Sequence, residues 1–312
     1  MRSRAEPLSR DTFRQGESPR VDPRTGELMW IDMRAGTFHT GVLEGGALVT
    51  TRTVHVGTRI GAAAPLAADG DGWVAASGRD LVHLRDDGHV DDAGGAVGSV
   101  RTVLAGITPA DDRPLNDGVC APDGAFWVGS QTLPRRPEGA LYRIGPDLAV
   151  TEVLADVTVS NGIALDPSGA ALFYVDTLPD RCLERFDVAG GVLSGRRTVA
   201  VCDGGNPDGI ALDDDGCVWV AMWGAGEVRR IAPSGEVIDV VEVPVSRPSA
   251  VALWEGLLVI TTARTDLDDP APSGDEGRLF AAAVPVGAAP TPAFGATAST
   301  LRSTEEATPA WA

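Results

Sequence analysis

Glu17, Asn116, Asn161 and Asp208 each place a side-chain oxygen at the same point of a recurring stretch of sequence. Two carboxylates and two carboxamides brought together form an all-oxygen cage, the donor set preferred by a hard divalent cation. Calcium suits such a cage best, with magnesium, manganese and zinc left open. Asn-Gly and Asp-Gly pairs are ordinarily turn formers. Four oxygen side chains at one repeat position outweigh that reading and predict a metal site.

The elements that must carry these side chains are clearest in Ser160 to Asp176, SNGIALDPSGAALFYVD. A short apolar run, the turn signal Asp166-Pro167-Ser168-Gly169 and a second run rich in strand formers read as a hairpin. The same grammar recurs with turns opening at Asp22, Ala68, Ala121, Asp166, Asp213 and Trp254. Stepping back five residues from each gives Glu17, Ala63, Asn116, Asn161, Asp208 and Ser249, with Asp117 the neighbour of Asn116. A period of roughly 45 residues is that of a four-stranded propeller blade. Third strands are predicted at Gly139–Ile144, Arg181–Asp187, Glu227–Ile231 and Arg278–Ala283. The fold class that follows is all-β, a six-bladed β-propeller with the metal site in its central channel. Trp30, Trp73, Trp127 and Trp219 fall on the second strand of each hairpin and are expected to pack between blades.

Four blocks carry a resemblance: GESP at Gly16–Pro19, NDG at Asn116–Gly118 followed by PDGAFWVGS, SNG at Ser160–Gly162, and NPDGIALDDDGCVWVA at Asn206–Ala221. The chain resembles the SMP-30/gluconolactonase/regucalcin-like family over about Gly16 to Val286. That resemblance implies a six-bladed propeller holding a divalent metal and a lactonase-type hydrolase acting on sugar lactones. It further implies Glu17, Asn161 and Asp208 as metal ligands, Asn116 as a substrate- or metal-contacting residue, and Asp208 as the catalytic acid/base. Three positions depart from the family pattern. Pro114 stands where many members have an arginine, with Arg113 one step further out. Arg20 follows GESP in place of an apolar residue, and Pro134 replaces an acid. Substrate contact is expected from Asn116, Asp117, Arg113 and Trp223, and also from Arg135 and Arg136 in the long loop after Ser130. Rival readings are a phosphotriesterase-like hydrolase on the same propeller and a noncatalytic metal-binding or interaction propeller.

Composition narrows the classes further. Among 312 residues, 44 are acidic and 26 basic, a net charge of −18 that argues against a nucleic-acid or anionic-membrane partner. A small-molecule substrate and a monomer or weak homo-oligomer are expected. Residues 1–15 are polar with no apolar core segment, which reads as cytoplasmic, and they are expected to close the last blade. Residues 16–286 form the propeller, and 287–312, rich in Ala, Pro, Thr and Ser, read as a loose tail or part of the ring closure. Cys120, Cys182, Cys202 and Cys217 lack C-x-x-C spacing and read as reduced structural thiols. His39, His55, His83 and His89 lie away from the ring positions, so neither a Ser-His-Asp triad nor a His-based zinc site is predicted.

Overall fold

The computed structural model describes residues 2–67, 72–86, 99–109, 112–264 and 274–296. The strands form six sheets, each wound from an inner strand outward. The inner strands are Gly16–Val21, Ile60–Pro65, Leu115–Cys120, Ser160–Leu165, Asn206–Leu212 and Pro248–Trp254. Every inner strand pairs antiparallel with the strand that follows it, as the hairpin grammar requires. The predicted third strands appear at Gly139–Ile144, Cys182–Ala189, Glu227–Ile231 and Phe280–Ala283. Ala68, which opens the second turn, lies outside the described residues, as do most of the loop after Ala263 and the chain beyond 296.

The apolar core is divided into six clusters, one between each pair of neighbouring blades. The four tryptophans of the repeat each occupy a different one: Trp30 between blades six and one, Trp73 between one and two, Trp127 between three and four, Trp219 between five and six. A sheet buries one face only by stacking on the next, so no blade is stable alone and the ring must close.

Closure comes from the N-terminus. Arg2–Arg4 runs parallel to the outer strand of blade five, and Glu6–Pro7 then pairs antiparallel with Phe280–Ala283 as the fourth strand of blade six. The segment is polar because both short strands are edges with exposed side chains. Its anchors are Ala5 and Leu8, buried respectively in the clusters between blades five and six and between six and one. At the other end, residues 287–296 run back across the propeller. Phe294 is fully buried between blades two and three and forms a parallel bridge with Leu66. No helix among the described residues is long and apolar enough to cross a membrane.

Leu8 packs in the cluster that contains Trp30 and Trp254, so truncating it opens a cavity across the closing interface. Leu8→Ala should cost roughly 2–5 kcal/mol in chemical denaturation. Exposed Glu6→Ala should change stability by less than about 0.5 kcal/mol.

Candidate metal and substrate site in the channel

Each inner strand breaks register near its start. The shifts fall between Glu17 and Arg20, Ile60 and Ala62, Leu115 and Gly118, Ser160 and Ile163, Pro207 and Ile210, and Pro248 and Ala250. A bulge re-aims side chains that a regular strand would send between the blades. Glu17, Asn116, Asn161, Asp208 and Ser249 all sit at these breaks. In blade two the equivalent residue is Gly61, not Ala63. Ile60 pairs with Ser77 there as Ser160 pairs with Asp176, so the count back from the turn falls short by two residues.

The glycines beside the ring residues are not turn formers. A Cβ at Gly162 would sit 2.6 Å from the Asp208 carbonyl oxygen, and one at Gly209 would sit 2.7 Å from Ala250 Cα. Neighbouring inner strands approach too closely near the axis for any side chain at those points.

The ring residues are 6–9% exposed at Glu17, Asn116, Asn161 and Asp208, so their polar atoms must be satisfied inside the channel. Thr177 donates its hydroxyl to the Pro207 carbonyl at 2.8 Å, which leaves its oxygen to accept from Asn161 at 2.7 Å. The Asn161 atom facing Thr177 must therefore be nitrogen, and Oδ1 is turned toward the ring. Asn116 is fixed the same way. Its Oδ1 accepts from the Arg59 guanidinium at 2.8 Å and from Gln131 Nε2 at 3.0 Å, and a guanidinium can only donate. Its Nδ2 then donates to the Ser160 carbonyl and to Asn161 Oδ1, both at 2.7 Å.

Both N–H groups and the oxygen of Asn116 are engaged by protein partners, and one of those bonds positions Asn161. The donor set that fits a cation is Glu17, Asp208 and Asn161 Oδ1, all oxygen and carrying two carboxylates. Among the described residues no group of three His, Cys, Asp or Glu is placed to hold a metal, so a cation seated here would draw on the amide oxygen as well.

Electrostatics favour the same reading. Burial raises the Glu17 carboxyl to about 8, against a bond from Gln15 Nε2 at 3.1 Å and with repulsion from Asp117. Burial and then repulsion from Glu17 and Asp117 hold Asp208 well above the ordinary carboxylate range, with Arg135 an opposing influence. Added positive charge would stabilise two such desolvated acids as anions.

The remaining expected residues are placed as follows. Asp117 accepts the Gly118 N–H at 2.7 Å and lies 3.8 Å from Arg20. Arg113 pairs with Glu138 at 3.5 Å instead of with a ring residue, and Arg136 pairs with Asp112 and Glu138. Trp223 ends the second strand of blade five opposite Asn206, with the Arg247 guanidinium 5.5 Å over its ring. Cys120 is buried and its thiol pushed far up by desolvation, which makes it a poor nucleophile. Gln15, Arg59, Gln131 and Thr177 carry no motif that marks them in the sequence. Gln131 and Thr177 do share one repeat position, the residue after the second strand, and that is the signal available.

The architecture is that of a six-bladed propeller with two buried acids and an inward amide oxygen on its inner strands. Residues 15–264 match the SMP-30/Gluconolactonase/LRE-like region, and the chain belongs to that family. It is 33% identical to a 6-deoxy-6-sulfogluconolactonase of Pseudomonas putida, covering 80% of this chain and 83% of that protein. It is 30% identical to a regucalcin of Xenopus laevis over 77% of this chain and 79% of that one. The crystal structure of a calcium-binding regucalcin from Agrobacterium tumefaciens superposes with TM-score 0.80 at 25% identity, covering 94% and 98% of the two chains.

Thr177→Val removes the acceptor that orients Asn161. It should weaken divalent-cation affinity by about 10–100-fold, read by calorimetric titration. The pH behaviour has a definite sign. Glu17 binds its proton more tightly folded than unfolded, so chelator-treated protein should gain stability as pH falls from about 8 toward 4.5. In Glu17→Gln that gain should shrink, as measured by melting temperature across the range.

Proposed function

We propose that this chain opens the ring of a sugar lactone with one divalent cation seated among Glu17, Asn161 and Asp208, calcium being the best match to the donor set. The observation that carries the reading is the inward-fixed Asn161 oxygen together with two buried carboxylates whose desolvation outweighs the charge of Arg59 and Arg135. A lactonase-type hydrolase is supported by family membership and by relatives named for sugar-lactone hydrolysis. Calcium is supported by the calcium-binding regucalcin of the same fold.

When bound, the cation would polarise the lactone carbonyl and stabilise the negative charge that develops on its oxygen. The protein supplies the rest. Asp208 accepts a proton from the attacking water as the new C–O bond forms, and returns it to the ring oxygen as the old C–O bond breaks. Asn116 holds Asn161 in register through its amide nitrogen, and Arg59 holds Asn116. Exposed Arg135 is the cation by which the loop after Ser130 acts on Asp208.

Purified protein loaded with calcium should release acid from at least one five- or six-membered sugar lactone at constant pH, and chelation should abolish it. No turnover by a folded, metal-loaded sample would overturn the reading. Asp208→Asn keeps an oxygen of the same reach but cannot take a proton, so kcat should fall by about 10²–10⁴-fold even at saturating metal. Glu17→Gln makes the same change in cage charge without touching the base and should retain most of kcat once saturated. Equal losses in both would make Asp208 a ligand only.

A further inference from the structure

A cavity lies at the opposite mouth of the channel from Glu17 and Asp208, among the distal halves of the inner strands. It has a volume of about 1150 Å³, with Ile163, Ile210, Val251 and Leu253 among its apolar side chains. The strap at Ala288–Pro292 lines its entrance. Cavities that take small organic ligands run to roughly 300–1,000 Å³, mostly apolar with a few placed polar groups.

The polar group placed here is Arg20, the residue that departs from the family pattern after GESP. It lines the cavity, and its side chain is only 15% exposed. Nη2 donates to the Gly118 carbonyl at 2.6 Å, and Asp117 stands 3.8 Å away across the channel. Nε is buried without a hydrogen-bond partner. A guanidinium has five N–H donors, so this one is incompletely satisfied in a largely apolar chamber. Four acids also line the cavity, Asp166, Asp213, Asp214 and Glu255, and the first two are held by other partners. Asp166 is held by Ser168 and the Ala171 N–H, and Asp213 by Trp219 and Arg230. The rim cations Arg185 and Arg197 both pair with Asp187. Arg20 and Asp117 stand 3.8 Å apart where the inner strands pass from the acidic ring to this cavity, the lower chamber, whose inner-strand walls are apolar around Arg20, with Arg185, Arg197 and the four acids also lining it.

We propose that the lower chamber is a second binding site, for a small organic anion with an apolar body, its carboxylate on Arg20 and its hydrocarbon part between the inner strands. Charge-assisted bonds from guanidinium to carboxylate are the strong, oriented kind. The apolar walls set the second requirement, which a free inorganic anion does not meet.

The test is calorimetric titration of the full chain with octanoate and with 1-octanol, equal in chain length and different in charge. Octanoate should bind once per chain and at least about tenfold more tightly than the alcohol. Arg20→Met should remove that preference. Ala252 lines the chamber outside the interblade clusters, and Ala252→Phe should block binding of both probes. The titration is repeated on chelated Glu17→Gln, where octanoate should bind unchanged because the upper site is not involved. Equal binding of the two probes, octanoate binding unaffected by Ala252→Phe, or its loss in chelated Glu17→Gln would each overturn the proposal. If Arg20→Met does not fold, the Ala252→Phe and Glu17→Gln arms decide.

Discussion

Everything at the channel depends on how closely neighbouring inner strands approach the axis. Gly162 lies against the Asp208 backbone and Gly209 against Ala250, at separations that admit no Cβ. Six strands cannot keep regular pairing with their own blades and also converge this tightly, and each breaks register just where it comes closest. The break turns one residue per strand into the channel. The steric requirement of closing the ring and the presentation of chemical groups are therefore the same local event, with glycine supplying the room and the bulge supplying the direction.

Once turned inward, those groups face a desolvation problem that limits what they can be. Only two of the ring positions carry carboxylates, and both are held toward the protonated form by burial, with repulsion from Asp117 on Glu17 and from Glu17 and Asp117 on Asp208. A third acid at the Asn161 position would add repulsion without adding reach, whereas the amide offers an oxygen and ties itself down through Thr177. Asn116 extends the logic sideways. Its amide links blades two, three and four through Arg59, Gln131, Ser160 and Asn161, so the orientation of a candidate ligand is fixed by residues that need not touch a cation. Polar networks of this kind hold their geometry when every member is satisfied.

The repeat made the fold legible because its hairpin turns, alternating runs and tryptophans are local signals. It also led to Glu17, Asn161 and Asp208, since equivalent positions in a closed ring must face one axis. Three things were not legible, each for a physical reason. Counting back from the turn lands on Ala63 and not Gly61 because turn length varies between blades, while the bulge, which sets the equivalence, leaves no mark in composition. The network that ties Asn116 to Arg59, Gln131 and Asn161 is hidden because an amide's orientation is decided by partners distant in sequence. Arg59 acts on Asn116 of the next blade, and no spacing rule connects those two.

Arg20 shows how a departure from a repeat acquires meaning only in three dimensions. In the sequence it is a cation three residues from a proposed anionic ligand, which would weaken a cation site if the two shared a chamber. The strand separates them. Arg20 reaches Gly118 and Asp117 from the distal side, and the Asp117 carboxylate stands toward Glu17 and Asp208, raising both. The guanidinium partly neutralises Asp117, the acid that most directly crowds the ring from below, and so moderates the repulsion at the candidate metal site without competing for its ligands. A leucine at that position would fill the channel as well but leave Asp117 buried beside two other acids, with no opposite charge within 4 Å. The arginine therefore belongs electrostatically to the upper site and spatially to the lower chamber, and its position in the wall between them lets one side chain serve both.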